Sequence, residues 1–171
     1  MVSHGMMTAL FFAVIGMIYD RTHTRMVADM GGLMKVMPFI TTVFFIVGLC
    51  SLGLPGLSGF VAEMTVFMGS WQNDNMFHRI ATIAACMSIV VTAVYILRAI
   101  GQTAMGPLKI PDGSSLLLRG GGGGGADASW NERLAAIILV GGIIAIGIAP
   151  FWLNDLIKPG IEIIMSKIGG K

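Results

Sequence analysis

Glu63 is the single formal charge between residues 36 and 73, a stretch otherwise built of apolar, small and uncharged polar side chains. An acid in such surroundings is held between two states. Low dielectric favours the neutral form and a nearby Lys would favour the carboxylate, so a group poised between them takes up and releases protons. The alternative role is architectural, a permanent pairing with a cation from a neighbouring chain. No Lys lies inside the apolar runs described below, so a relay through Glu63 needs partners beyond this sequence. His4, followed by Gly5, is a second candidate: it can pass protons near neutral pH, or anchor its helix at the interface. His23 and His78 stand beside Arg21, Arg25 and Arg79 in stretches read as loops, where water is the expected neighbour. Cys50 and Cys86 sit in apolar runs without CxxC spacing and are read as packing residues, and no metal site is expected. Serine-nucleophile, paired-carboxylate and Rossmann patterns are absent, so no cofactor-binding residue is assigned.

The elements that must hold these residues are membrane helices. Hydrophobic residues make up 55% and charged residues 12% of the 171, with a mean hydropathy of +0.82. That charged share is about half of what soluble domains carry, which excludes an ordinary soluble fold. Runs free of formal charge cover 1–19, 36–62, 80–97 and 134–154, giving four predicted transmembrane segments in an all-α bundle. The second is too long to be one rod. A straight helix over 36–73 would measure about 57 Å, against a hydrocarbon core of about 30 Å. The break falls at Gly53-Leu54-Pro55-Gly56, because proline removes a backbone donor while glycine admits dihedrals other residues avoid. Half-helices are therefore expected at about 37–52 and 57–72, with Glu63 about two turns past the break. Non-helical backbone at membrane depth must be buried in protein or line a watery cavity, so a break beside an acid points to a polar pathway, and a plain proline kink is the alternative. Gly56, Gly59 and Glu63 share a face on which a neighbouring helix can approach, which turns the carboxylate toward protein.

Trp71 closes the second segment, and Trp130 and Trp152 bracket the fourth at about 33 Å, near the separation of two aromatic belts. Stripes at Ala81, Ala85, Ser88 and Thr92, and at Gly142, Ala145 and Ala149, mark expected helix contacts. Residues 1–153 are read as the four-helix portion and 154–171 as an amphipathic tail on the bilayer surface. Four spans put loops one and three on one side. That side carries Arg21, Arg25, Lys35, Arg98, Lys109, Arg119 and Arg133, against Arg79, Lys158, Lys167 and Lys171 opposite. The positive-inside rule assigns it to the cytoplasm. A net charge of +2, dispersed along the chain, excludes a nucleic-acid surface. The six glycines Gly120 to Gly125, within a glycine-rich loop of about 106–129, lack a GK[ST] ending and are read as a linker.

The segments SHGMMTALFF…YDRTHTR…GGLMK from Ser3 to Lys35 and SLGLPGLSGFVAEMTVFMGSW from Ser51 to Trp71 resemble the C-terminal part of subunit M of the proton-translocating NADH:quinone oxidoreductases, the respiratory complex I family. YILRAIG at 95–101 and WNERLAA…IGIAPFW at 130–152 look like its last two helices. The resemblance implies an antiporter-like membrane-arm subunit of fourteen helices, of which this chain matches the last four. Glu63 then stands where subunits L and N and the Mrp-type antiporter subunits carry Lys, and His4 matches a histidine of the family's hydrophilic axis. Both become proton-relay residues, and Gly53, Pro55 and Gly56 form the break of the family's twelfth helix. The helices that carry a glutamate and two lysines of the channel have no counterpart here. The resemblance thus implies a fragment or one half of a split subunit, inactive alone, whose partners are the N-terminal part of the same subunit, neighbouring antiporter-like subunits and the lipid bilayer of a bacterial inner membrane. NADH, FMN, iron–sulfur clusters and quinone are expected on other subunits, with no cofactor on this chain. The readings that compete are a related cation/proton antiporter or membrane-bound hydrogenase subunit, and a small structural membrane protein.

Overall fold

Charge-free stretches of apolar residues satisfy their backbone internally only as helices, and every regular element of the computed structural model is helical. It describes residues 1–109 and 127–169. In chain order these are α1 (Val2–Thr22), two single 3-10 turns at Val27–Asp29 and Leu33–Lys35, α2 (Pro38–Ser51), α3 (Ser58–Trp71), α4 (Met76–Ala104), α5 (Trp130–Ile148) and α6 (Pro150–Gly169). The described residues contain no strand, only a lone antiparallel bridge between Gly31 and Lys109. The run Gly120 to Gly125, and Arg119 before it, lie outside the described residues.

Three helices, α1, α4 and α5, are long and apolar enough to cross a membrane, and α2 is a shorter apolar helix. With α3 completing the interrupted second segment, the architecture is the expected membrane bundle. The half-helices end within one residue of their expected bounds. α4 is longer than its charge-free run, 29 residues or about 44 Å, because Arg79 and Arg98 are carried inside it near its two ends. α5 stops at Ile148, short of the expected 154. Ala149, preceding Pro150, leaves the helical region and Pro150 opens a new helix, so Trp152 lies on α6.

The interrupted segment is central: α1 and α5 pack on one side of it and α4 on the other. The core is made by Leu10 and Val14 of α1, Ile40 and Val47 of α2, and Ile143 of α5, all fully buried, with Phe11 edge-on to Phe44 at 5.8 Å. α4 adds Ile100, which presses on Gly48 of α2. Its outward face, Met87, Val90, Val91 and Val94, is exposed, as a lipid-facing surface is. The small-residue stripes are used only in part. Gly142 receives Met6 of α1, whereas Ala81, Ser88 and Ala145 are exposed, as is Cys86, which is therefore not a core packing residue.

One end of the bundle is fastened by polar groups. Arg21, at the end of α1 and 8% exposed, binds Glu132 of α5 at 2.7 Å and donates to the carbonyls of Met17 and Asp127. Glu132 also accepts the Ser129 N–H at 2.7 Å, closing a capping box on α5. The chain between α1 and α2 pairs with the chain after α4 through Gly31 N–H to the Lys109 carbonyl, 3.3 Å, and the reverse bond at 3.0 Å.

Candidate functional site

The break in the central segment is a built turn. Leu54 N–H reaches the Leu49 carbonyl at 3.3 Å and Gly53 N–H the Cys50 carbonyl at 3.2 Å, with Gly53 at φ 65°. These two bonds around a left-handed glycine form a Schellman stop, and Pro55 two residues later prevents the helix from resuming. Gly56, at φ 95°, lies in the connection before α3 begins. Three neighbours close on this turn. Ser3 of α1 donates to Ser58 Oγ at 2.9 Å, and Ser58 is fully buried with Cys50 Sγ 3.7 Å away. Gly59 lies so near the Cys50 carbonyl, and Gly147 of α5 so near the Gly56 carbonyl, that neither position has room for a Cβ. Leu54 and Pro55 remain exposed on the other side.

Glu63 is half-buried on α3, and its carboxyl group folds back against Gly53, occupying the space a side chain there would fill. It has no hydrogen-bond or ion-pair partner among the described residues. The N-terminal end of α3 lies at the same break and carries the positive end of its dipole, which offers partial compensation to an anion. An unpaired acid beside a gap in the backbone ladder is an arrangement able to hold and pass a proton. His4 is exposed on α1, one residue from Ser3, and its contact is with Thr8 at 3.5 Å. It shares the neighbourhood of the break through Ser3, but no hydrogen bond joins it to Glu63 among the described residues. No group of three or more His, Cys, Asp or Glu side chains is placed to hold a metal ion among the described residues.

Two sites escape the sequence reading. Asp127, its side chain 9% exposed, accepts the N–H groups of Phe39 and Ile40 at 3.2 and 3.3 Å and pairs with Arg133 at 3.3 Å. It thus caps α2, whose own N-cap residue, Met37, has no side-chain acceptor. The capping box Ser129-Trp130-Asn131-Glu132 could have located the start of α5 from sequence. The second site is His78, which is not a loop residue in water. It stands in the first turn of α4 with Nδ1 buried and without a partner.

Comparison with known proteins bears on this geometry. The family described as NADH:quinone oxidoreductase/Mrp antiporter, transmembrane, matches residues 1–88, which include α1, the break and Glu63. Similar relatives are NAD(P)H-quinone oxidoreductase chain 4 of the Mesostigma viride chloroplast, 40% identical over 91% of this chain and 30% of the relative, and that of the Anthoceros angustus chloroplast, 35% identical over 97% and 32%. A Picosynechococcus chain 4 is 34% identical over 88% of this chain and 27% of its own length. The chain thus spans about a third or less of the relatives it matches. With half of its length under the family's own description and nearly all of it aligned to chain 4 proteins, the chain belongs to the NADH:quinone oxidoreductase/Mrp antiporter membrane family.

Proposed function

We propose that this chain forms the exit-side half of a transmembrane proton path in the membrane arm of a proton-translocating NADH:quinone oxidoreductase. The observation that carries the reading is the Glu63 carboxyl group, unpaired among the described residues and lying on the Gly53 break of the central helix. A proton arriving on Glu63 neutralises it, and release restores the carboxylate, partly offset by the dipole of α3. The cations that would drive this exchange electrostatically are lysines supplied by residues outside these 171. His4, beside the Ser3–Ser58 contact, is the candidate for handing protons to the break. Loops one and three, with Arg21, Lys35 and Arg133, are assigned to the cytoplasmic side by their excess of basic residues. NADH, FMN, iron–sulfur clusters and quinone belong on other subunits, and electron transfer there would bias the states along the arm. Inactivity of the isolated chain follows from this division of labour. The partners are then the rest of the subunit and neighbouring antiporter-like subunits.

Glu63→Gln keeps the shape and removes the charge. In the full complex it is expected to assemble, carry electrons and translocate fewer protons per electron; an unchanged ratio would remove Glu63 from the path. A second reading, a subunit of a cation/proton antiporter, is favoured by the family description, which spans both. Copurification with an NADH-oxidising peripheral arm, and sensitivity to quinone-site inhibitors, separates the two.

A further inference from the structure

We propose that Ser58, bonded to Ser3 of α1, is a positioning residue of the proton path: it holds the start of α3 against the end of α2 and so keeps the Glu63 carboxyl group on Gly53. This rests on the proton-path reading above.

Hydroxyls inside helices ordinarily turn back on their own backbone. Thr41, Thr42, Thr65, Thr92 and Thr103 do so, each donating to the carbonyl four residues earlier. Ser58 does not. It opens α3, where a hydroxyl commonly caps the first turn, yet α3 has no side-chain cap and Ser58 Oγ bonds no backbone group among the described residues. Its oxygen accepts from Ser3 Oγ at 2.9 Å, and the partner left for its own proton is Cys50 Sγ at 3.7 Å. Ser3 and Cys50 are themselves buried, so one fully buried hydroxyl on α3 takes its partners from α1 and α2. Away from water such bonds have no competitor, and removing one partner leaves the other unsatisfied.

Cys50 gives this contact its bearing on Glu63. The Cys50 carbonyl accepts the Gly53 N–H at 3.2 Å, its sulfur lies beside Ser58, and Gly59 is pressed against the same carbonyl. Glu63 stands five residues after Ser58 on the same helix, about 8 Å along its axis, and folds back to Gly53. Ser58, Cys50, Gly53 and the Glu63 carboxyl group, joined by the first turns of α3, therefore form a closed ring of contacts. Residues 52–57 are not helical, so the backbone ladder does not fix the spacing of α2 and α3 across this ring. Side-chain contacts must. The close approach of Gly59 to the Cys50 carbonyl limits how near α3 can come, and the bonds of Ser58 to Ser3 and Cys50 keep it from drawing away.

The test uses the intact complex in sealed vesicles and two readouts: protons translocated per electron, and the infrared carbonyl band of protonated Glu63, identified as the band that Glu63→Gln lacks. That band reports the surroundings of the carboxyl group whether or not protons move. Ser58→Ala is expected to displace the band and to translocate fewer protons per electron, approaching the deficit of Glu63→Gln. Ser3→Ala changes both in the same direction, and the two substitutions together do no more than Ser58→Ala alone, because they remove one contact. A band at the parent position in Ser58→Ala overturns the proposal and leaves the proton path standing. A displaced band with the parent proton ratio, beside a defective Glu63→Gln, overturns it as well, since the carboxyl position then has no bearing on transport. The parent ratio in Glu63→Gln removes the path itself and the proposal with it. Should Ser58→Ala fail to assemble, Ser3→Ala decides: a displaced band with fewer protons per electron supports the proposal, and a parent band overturns it.

Discussion

The carboxyl group of Glu63 fills the space that a side chain at position 53 would need, so two residues ten apart in sequence act as one unit. Gly53 and Gly56 provide a matched pair of tests. Both have positive φ, 65° and 95°, and a Cβ in the left-handed region costs about 1–2 kcal/mol. Only at Gly53 does that Cβ also meet the carboxyl group, since the space around Gly56 is open. Gly53→Ala and Gly56→Ala are therefore expected to lower thermal stability by similar amounts, while Gly53→Ala alone impairs proton translocation. Equal translocation by the two would mean that the carboxyl position is irrelevant. Much of this was legible in the chain: Glu63 stands out as the single charge in 38 residues, and the glycines and proline announce the break. The backward fold of the carboxyl was not, because a rotamer is chosen by neighbours the sequence does not order in space. His78 misled for the same reason. An Arg beside it signals water, yet the first turn of α4 begins two residues earlier and shuts Nδ1 away.

At the level of elements, what is local was readable and what is distant was not. Expected half-helices at 37–52 and 57–72 became Pro38–Ser51 and Ser58–Trp71, since proline and glycine act within a turn of themselves. The cap on α2 comes from Asp127, 88 residues away from Phe39, and no periodicity reports such a pairing. Asp127→Ala is expected to destabilise the bundle by about 1 kcal/mol and to speed hydrogen exchange at Phe39 and Ile40 before the rest of α2. Exchange at those two amides equal to the parent would show that Asp127 does not hold the helix end. α5 ends before its apolar run does, because Pro150 stops the helix while the hydrophobic pattern continues past it.

Across the whole molecule, Arg21 joins α1 to α5 through an ion pair whose partners are 10% and 28% exposed. Removing one charge leaves the other poorly solvated, so Glu132→Gln is expected to cost about 3 kcal/mol, read as a lower melting temperature in detergent. Arg21→Met with Glu132→Leu, which removes both charges, should recover much of that loss, and failure to do so would mean that the carbonyl and capping bonds of the cluster carry the effect. The membrane class and the family could be read because hydropathy and the LPGxSGFVxE pattern extend over long stretches, whereas the packing of α1 and α5 beside the interrupted segment depends on close contacts such as Gly147 at the turn. α2 is terminated at both ends by groups that satisfy its own backbone, Asp127 at one and the Leu54–Leu49 bond at the other. Among the described residues its ladder is closed on itself and shares no axial hydrogen bond with α3. The two halves therefore form a jointed lever and not a rod: a tilt applied to α2 need not unwind α3, and the joint, where the acid of α3 rests, is where such a tilt is felt first.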